Sequence, residues 1–215
     1  MKRIFISLAL VLGFGLVQAN AQGIGFGVKA ETNMSNFIVT GERFVEGKFG
    51  FGASFGGFMK YNVSNNFAIQ PEILFHFKNS TFERFTFVQP SDGKFRYSGV
   101  EIPIYALGQW RIGSGRFYAG VGPYIGLGFS AMESFYTFLL EGPIYNESDF
   151  FENSILRRFD FGLGAMLGYE ISHRVQLNVG YKIGLLNVDV RDWSWSQEHH
   201  SWRWQTISLG LGYRF

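Results

Sequence analysis

The 215-residue chain contains no cysteine. Neither a disulfide framework nor a thiol-linked lipid anchor is open to it. Past residue 21, no apolar run approaches the roughly 20 residues that a transmembrane helix requires. An excess of one charge sign is also missing: the 19 basic residues, less Lys2 and Arg3 of the leader described below, equal the 17 acidic ones. A mature chain without net charge has no basic field for nucleic acid, and nucleic-acid binding is excluded as a function class. Proline is scarce, at 5 residues, and the composition has none of the low-complexity bias of a disordered chain.

Glycine and aromatic residues are abundant instead, with 28 Gly, 25 Phe and 10 Tyr. The chain opens on Lys2 and Arg3, continues through an apolar run from Ile4 to Val17, and reaches Ala19-Asn20-Ala21. A charged start, a short apolar centre and a small-x-small site are the parts of a secretory signal, so residues 1–21 are expected to be cleaved and 22–215 to form one domain.

Period-2 alternation of apolar and polar residues recurs eight times, near 23–31, 48–61, 66–78, 95–112, 116–130, 157–171, 175–186 and 202–215. The last stretch is the clearest. Ile207, Leu209, Leu211, Tyr213 and Phe215 fall on one face, and Thr206, Ser208, Gly210, Gly212 and Arg214 on the other. Connections are short at 62–65, 113–115 and 172–174, and long at 32–47, 79–94, 131–156 and 187–201.

Strands longer than about 9–11 residues, an oily face on each and connections alternating between short and long predict an eight-stranded antiparallel transmembrane β-barrel. Lipid offers backbone groups no partners, so a spanning sheet must close on itself. The pattern predicts short periplasmic turns, four long extracellular loops and both termini in the periplasm of a Gram-negative cell. Tyr213 and Phe215, with the terminal carboxylate, are expected to present the closing strand to the barrel-assembly machinery, while outer-membrane lipid covers the oily belt.

Eight strands enclose an interior just wide enough for side chains. The inward parity holds Lys29, Glu31, Lys60, Glu72, Glu101, Arg111, Arg158, Asp160, Glu170, Lys182 and Arg214, with Tyr105, Tyr118 and Tyr124 among them. Lys48 also falls on the expected inner face. Unpaired buried charges are costly, so these residues are expected to pair into a network that plugs the lumen. Pro71, Pro103 and Pro123 fall inside strands, where each removes a ladder donor, and bulges are expected beside them.

Several segments, Val100-Glu101-Ile102-Pro103-Ile104, Tyr118 to Gly128, Asp160 to Gly168, Gly180 to Leu185 and the closing G-L-G-Y-R-F, resemble the PorT-like outer-membrane β-barrel proteins common in Bacteroidetes. That resemblance implies the barrel fold and implies that Pro103 and Pro123 are tolerated within it. The family's namesake is linked to secretion of surface proteases, but many similar members have no assigned role.

Candidate binding residues lie in the long connections. Trp193 and Trp195 could stack on sugar or peptide, while Trp202 and Trp204 are expected in the aromatic girdle at the outer interface. Phe135 and Tyr136 stand in the longest connection beside Glu133, Glu141, Glu147, Asp149 and Glu152, which suits a partner surface in a surface or secretion complex. Glu198, His199 and His200 lack a third spaced ligand for a metal. His199 with Ser201 has the form of a lipid hydrolase pair but lacks an acidic residue further along to orient it. No cofactor is expected, and the expectation is a non-enzymatic membrane barrel, with an outer-membrane lipid-modifying hydrolase or a small pore as the alternatives.

Overall fold

The computed structural model describes residues 23–41, 45–85, 90–139, 142–149, 156–189 and 200–215; the expected signal segment and Trp193, Trp195, Glu198 and His199 lie outside them. The described residues form nine strands: β1 Ile24–Thr40, β2 Val45–Asn62, β3 Phe67–Phe85, β4 Pro90–Ile112, β5 Gly115–Leu139, β6 Gly142–Asp149, β7 Phe159–Ile171, β8 Val175–Gly184 and β9 Ser201–Arg214. All but β6 form a closed antiparallel barrel in which each strand pairs with its neighbours in the chain, and β1 meets β9 to seal the wall. The seam runs from Gly27 opposite Arg214 to Thr40 opposite Ser201.

Alternation sets the two faces. Phe51, Phe55, Ile73, Phe75, Val121, Leu127, Leu167, Val179, Leu209 and Leu211 are exposed on the outside, while Lys29, Lys60, Glu72, Glu101, Glu170 and Lys182 are buried inside. Such an inversion is stable when lipid covers the outer face.

Two bulges adjust the alternation. The register shifts by one between Phe49 and Ala53 of β2, and between Ser98 and Gly99 of β4, where β5 carries the extra residue. The first shift puts Lys48 on the exposed side, against the inward position that simple parity assigned it.

Neither bulge lies at a strand proline, contrary to expectation. The ladder is instead interrupted at Gln70 and Pro71 toward β2, at Ile102 and Pro103 toward β3, and at Gly122 and Pro123 toward β4, and it resumes each time in the same register. A missing N–H deletes one bond, whereas a bulge would also flip every later side chain, so local opening preserves the two faces.

The wall is higher on one side. The connections expected at 32–47 and 79–94 are mostly strand, since β1 runs to Thr40, β2 starts at Val45, β3 runs to Phe85 and β4 starts at Pro90. The one expected at 131–156 is partly strand, with β5 continuing to Leu139 and pairing with β6 from Leu139 opposite Gly142 to Met132 opposite Asp149. Below this hairpin, β5 pairs with β7 only as far as Leu127 opposite Phe159.

Candidate functional site

Charged side chains fill the lumen in three groups, each contributed by several strands. Nearest the short turns, the Glu170 carboxylate of β7 accepts from Lys60 of β2 at 2.6 Å and Gln176 of β8 at 3.3 Å, and pairs with Arg214 of β9 at 2.9 Å. Arg214 also donates to the His173 carbonyl, from Nε at 2.9 Å and from its terminal nitrogen at 2.6 Å. It thereby ties the closing strand to a turn whose Ser172 and His173 have positive φ, at 49° and 60°.

In the second group, Lys29 of β1 lies 2.8 Å from Glu31 and 3.0 Å from Glu72 of β3, and Gln70 donates to Glu72 at 2.8 Å. The third joins three strands through one carboxylate. Glu101 of β4 accepts from Lys78 of β3 at 2.6 Å and Lys182 of β8 at 2.5 Å. Asp160 nearby accepts from the Tyr124 hydroxyl at 2.8 Å. Glu72, Glu101 and Glu170 each sit between two or more donors, which is how a narrow lumen holds ions, whereas Glu31 meets Lys29 and Asp160 meets the Tyr124 hydroxyl.

Tyrosines occupy the space between these groups because β7 offers glycine opposite them. A Cβ at Gly168 would overlap the Tyr118 ring, one at Gly162 would overlap Tyr124, and one at Gly164 would stand 2.9 Å from the Tyr105 hydroxyl. Lys60 lies 5.4 Å from the centre of the Tyr118 ring, adding a cation–π contact to its ion pair.

Above the third group the lumen turns apolar. Phe37, Phe95, Tyr97, Trp202 and Trp204 pack as one buried cluster with Ala131, Leu156 and Val188. The Phe37 and Trp204 rings are 3.9 Å apart and Phe37 and Trp202 are 5.3 Å apart. The segment after β8 fastens this cap: the Trp202 N–H donates to the Asn187 side chain at 2.8 Å, and Val188 N–H donates to the Trp202 carbonyl at 2.9 Å. His76 stacks on Tyr97 just beneath, with centroids 5.3 Å apart and planes 4° from parallel.

Trp202 and Trp204 therefore do not belong to a lipid-facing girdle. They are even-numbered residues of β9, on the same face as Thr206 and Ser208, and that face is the lumen. Arg111 and Arg158 depart from the expected network as well. Both are exposed, because β4 ends at Ile112 and β7 begins at Phe159, so each falls at a mouth of the barrel and not within it. Lys29, Glu31, Lys60, Glu72, Glu101, Asp160, Glu170 and Lys182 are buried inside, and Arg214 is partly buried at the short-turn end. Lys78, Phe37 and Phe95 also enter the packed lumen; parity was the available signal for Lys78 and Phe95, while Phe37 falls in a stretch expected as a connection that β1 in fact spans.

Tyr213 and Phe215 lie on the outer face at the seam, 5.9 Å apart, and the Phe215 N–H donates to the Phe26 carbonyl at 2.9 Å. Phe135 and Tyr136 lie on the part of β5 that pairs with β6. Ser201 begins β9, and its hydroxyl accepts from Arg203 Nε at 3.2 Å. Among the described residues, no group of three or more His, Asp or Glu side chains is placed to hold a metal.

The family model for the outer membrane protein beta-barrel domain matches residues 18–190. No curated protein matches the chain. Among solved structures, Ail, the attachment invasion locus protein of Yersinia pestis, is 16% identical over 90% of this chain and 99% of its own, with a TM-score of 0.44. Neisserial surface protein A is 16% identical over 90% of this chain and 100% of its own, with a TM-score of 0.41. OprG from Pseudomonas aeruginosa is 15% identical over 90% and 96%, with a TM-score of 0.38.

Proposed function

Because the chain belongs to the outer membrane protein β-barrel domain family, we propose that it is a non-enzymatic, PorT-like member whose sealed barrel anchors outer strands and loops that engage a partner. The observation that carries this reading is the filling of the lumen. Three charge groups with interleaved tyrosines occupy it from the short-turn end upward, and the Phe37–Trp202–Trp204 cap closes the other end. A barrel packed in this way supplies no path for solute, which leaves its surfaces to act.

Residues 1–21 direct export and are removed. The short turns and both ends of the mature chain face the periplasm, so the tall side of the wall rises outside the cell. Tyr213 and Phe215 at the seam present the last strand to the barrel-assembly machinery, and outer-membrane lipid covers the belt of exposed Phe, Leu, Ile and Val. The outer hairpin with Phe135 and Tyr136, together with the connection carrying Trp193 and Trp195, contacts a protein of a surface or secretion assembly.

The test is capture from cell envelopes by the detergent-solubilised full chain and by variants lacking residues 140–155 or 190–199. A protein held by the full chain and lost from either variant supports the reading. Recovery of lipid alone, or of the same proteins by all three forms, overturns it.

A further inference from the structure

Among the described residues, the sheet is open above the barrel rim. The last pair between β5 and β7 is Leu127 with Phe159, and from Met132 upward β6 takes the place beside β5. On its other side, β5 stays paired with β4 as far as Phe135 opposite Gly93. Among the described residues β6 pairs with β5 alone, so its eight-residue outer edge carries backbone N–H and C=O groups without a ladder partner there. From Leu127 to Leu139, β5 extends by roughly 40 Å of strand, and the β6 edge starts beside Met132, roughly 17 Å past Leu127.

Exposed edges are commonly blunted by charged side chains, lysine above all, by bulges or by proline. β6 reads G-P-I-Y-N-E-S-D, with its proline at the second position and no Lys or Arg, and its pairing with β5 is free of register shifts. Residues 132–139 and 142–149 include Glu133, Glu147 and Asp149 and no basic residue. Two such edges brought together would set acid against acid, which disfavours a second copy as the occupant. An extended segment bearing Lys or Arg satisfies both the unpaired backbone and the charge.

We infer that the outer edge of β6 binds an extended basic segment of a partner protein as an added β-strand. Backbone hydrogen bonds give the affinity, and the negative charge of the hairpin gives the preference. The inference rests on the reading that the outer strands engage a partner, and it specifies the chemistry of that partner.

The test uses the full chain in phosphatidylcholine nanodiscs and a fluorescent peptide of about ten residues alternating lysine with valine and threonine. Two controls are the same peptide N-methylated at alternate residues and a version with glutamate for lysine. The expected result is saturable binding of the basic peptide, at least tenfold weaker for each control and for the Glu147→Lys/Asp149→Lys variant. That variant leaves the barrel sequence untouched, and its folding is checked by the difference in gel mobility between heated and unheated samples. Equal binding of the N-methylated peptide overturns strand addition, absence of binding by the basic peptide overturns the inference, and pairing of two barrels through the hairpins replaces the occupant with a second copy. Loop-dependent capture of a protein in the preceding experiment, together with failure of these peptides, would remove the edge inference alone.

Discussion

The Lys78 ammonium stands 5.2 Å from the centre of the Trp204 ring while lying 2.6 Å from the Glu101 carboxylate. One side chain thus joins the ionic and aromatic parts of the packing, and links β3, β4 and β9 across the lumen. A cation over an indole face adds about 0.5–2 kcal/mol, more when water is excluded. The larger consequence is continuity, since Lys78 touches both the Glu101 carboxylate and the aromatic cap.

Glu101→Gln should be among the most damaging conservative changes in the chain. It leaves Lys78 and Lys182 without their shared carboxylate, and removing one partner of a buried ion pair costs on the order of 3–5 kcal/mol. Urea unfolding in detergent micelles should show that loss. Adding Lys182→Gln should recover part of it, because fewer unmatched charges remain.

Gly168→Ala should destabilise through overlap with Tyr118 by about 1–3 kcal/mol. Pairing it with Tyr118→Leu should cost less than the sum of the two single changes, since the smaller side chain frees part of the space the new methyl needs, the Leu177 carbonyl still standing 2.6 Å from it. Unfolding midpoints of the three variants give the coupling, and strict additivity would count against the seating of Tyr118 on that glycine.

Arg214→Ala should act on closure. The guanidinium holds both Glu170 and the His173 carbonyl, joining β9 to the β7–β8 turn at the short-turn end. Its loss removes charge-assisted bonds worth roughly 1.5–3 kcal/mol each before relaxation. The variant should insert more slowly into lipid vesicles, read by the appearance of the fast-migrating unheated gel band; an unchanged rate would separate this clasp from seam formation.

Trp204→Ala should cost about 3–5 kcal/mol, the usual penalty for deleting a large buried aromatic. It should still not open a path, because the Glu101, Glu72 and Glu170 groups remain below it. Unfolding and ion flux measured on the same preparation distinguish a stabilising cap from a gate.

The barrel was legible because both of its solvents write period 2 into the sequence, and the closing strand displays it almost without exception from Thr206 to Phe215. The same parity extended to Trp204 and Trp202 places both inside; expecting tryptophan at the membrane interface obscured that reading. Arg111 and Arg158 have inward parity as well, but parity does not reveal where a wall ends. The β5–β6 hairpin was hidden for another reason. G-P-I-Y-N-E-S-D lacks the alternation of a half-buried strand, and its strand form follows from pairing with a β5 that already runs past the rim. The three prolines were legible as ladder defects, but their remedy depends on preserving register across the whole wall.

The most direct test of the sealed barrel is single-channel recording of the refolded full chain in planar bilayers. A lumen filled by the Lys60–Glu170, Lys29–Glu72 and Lys78–Glu101–Lys182 groups and capped by Trp202 and Trp204 predicts a flat baseline at all applied voltages. Steady, ohmic current steps from the unmodified protein would contradict it.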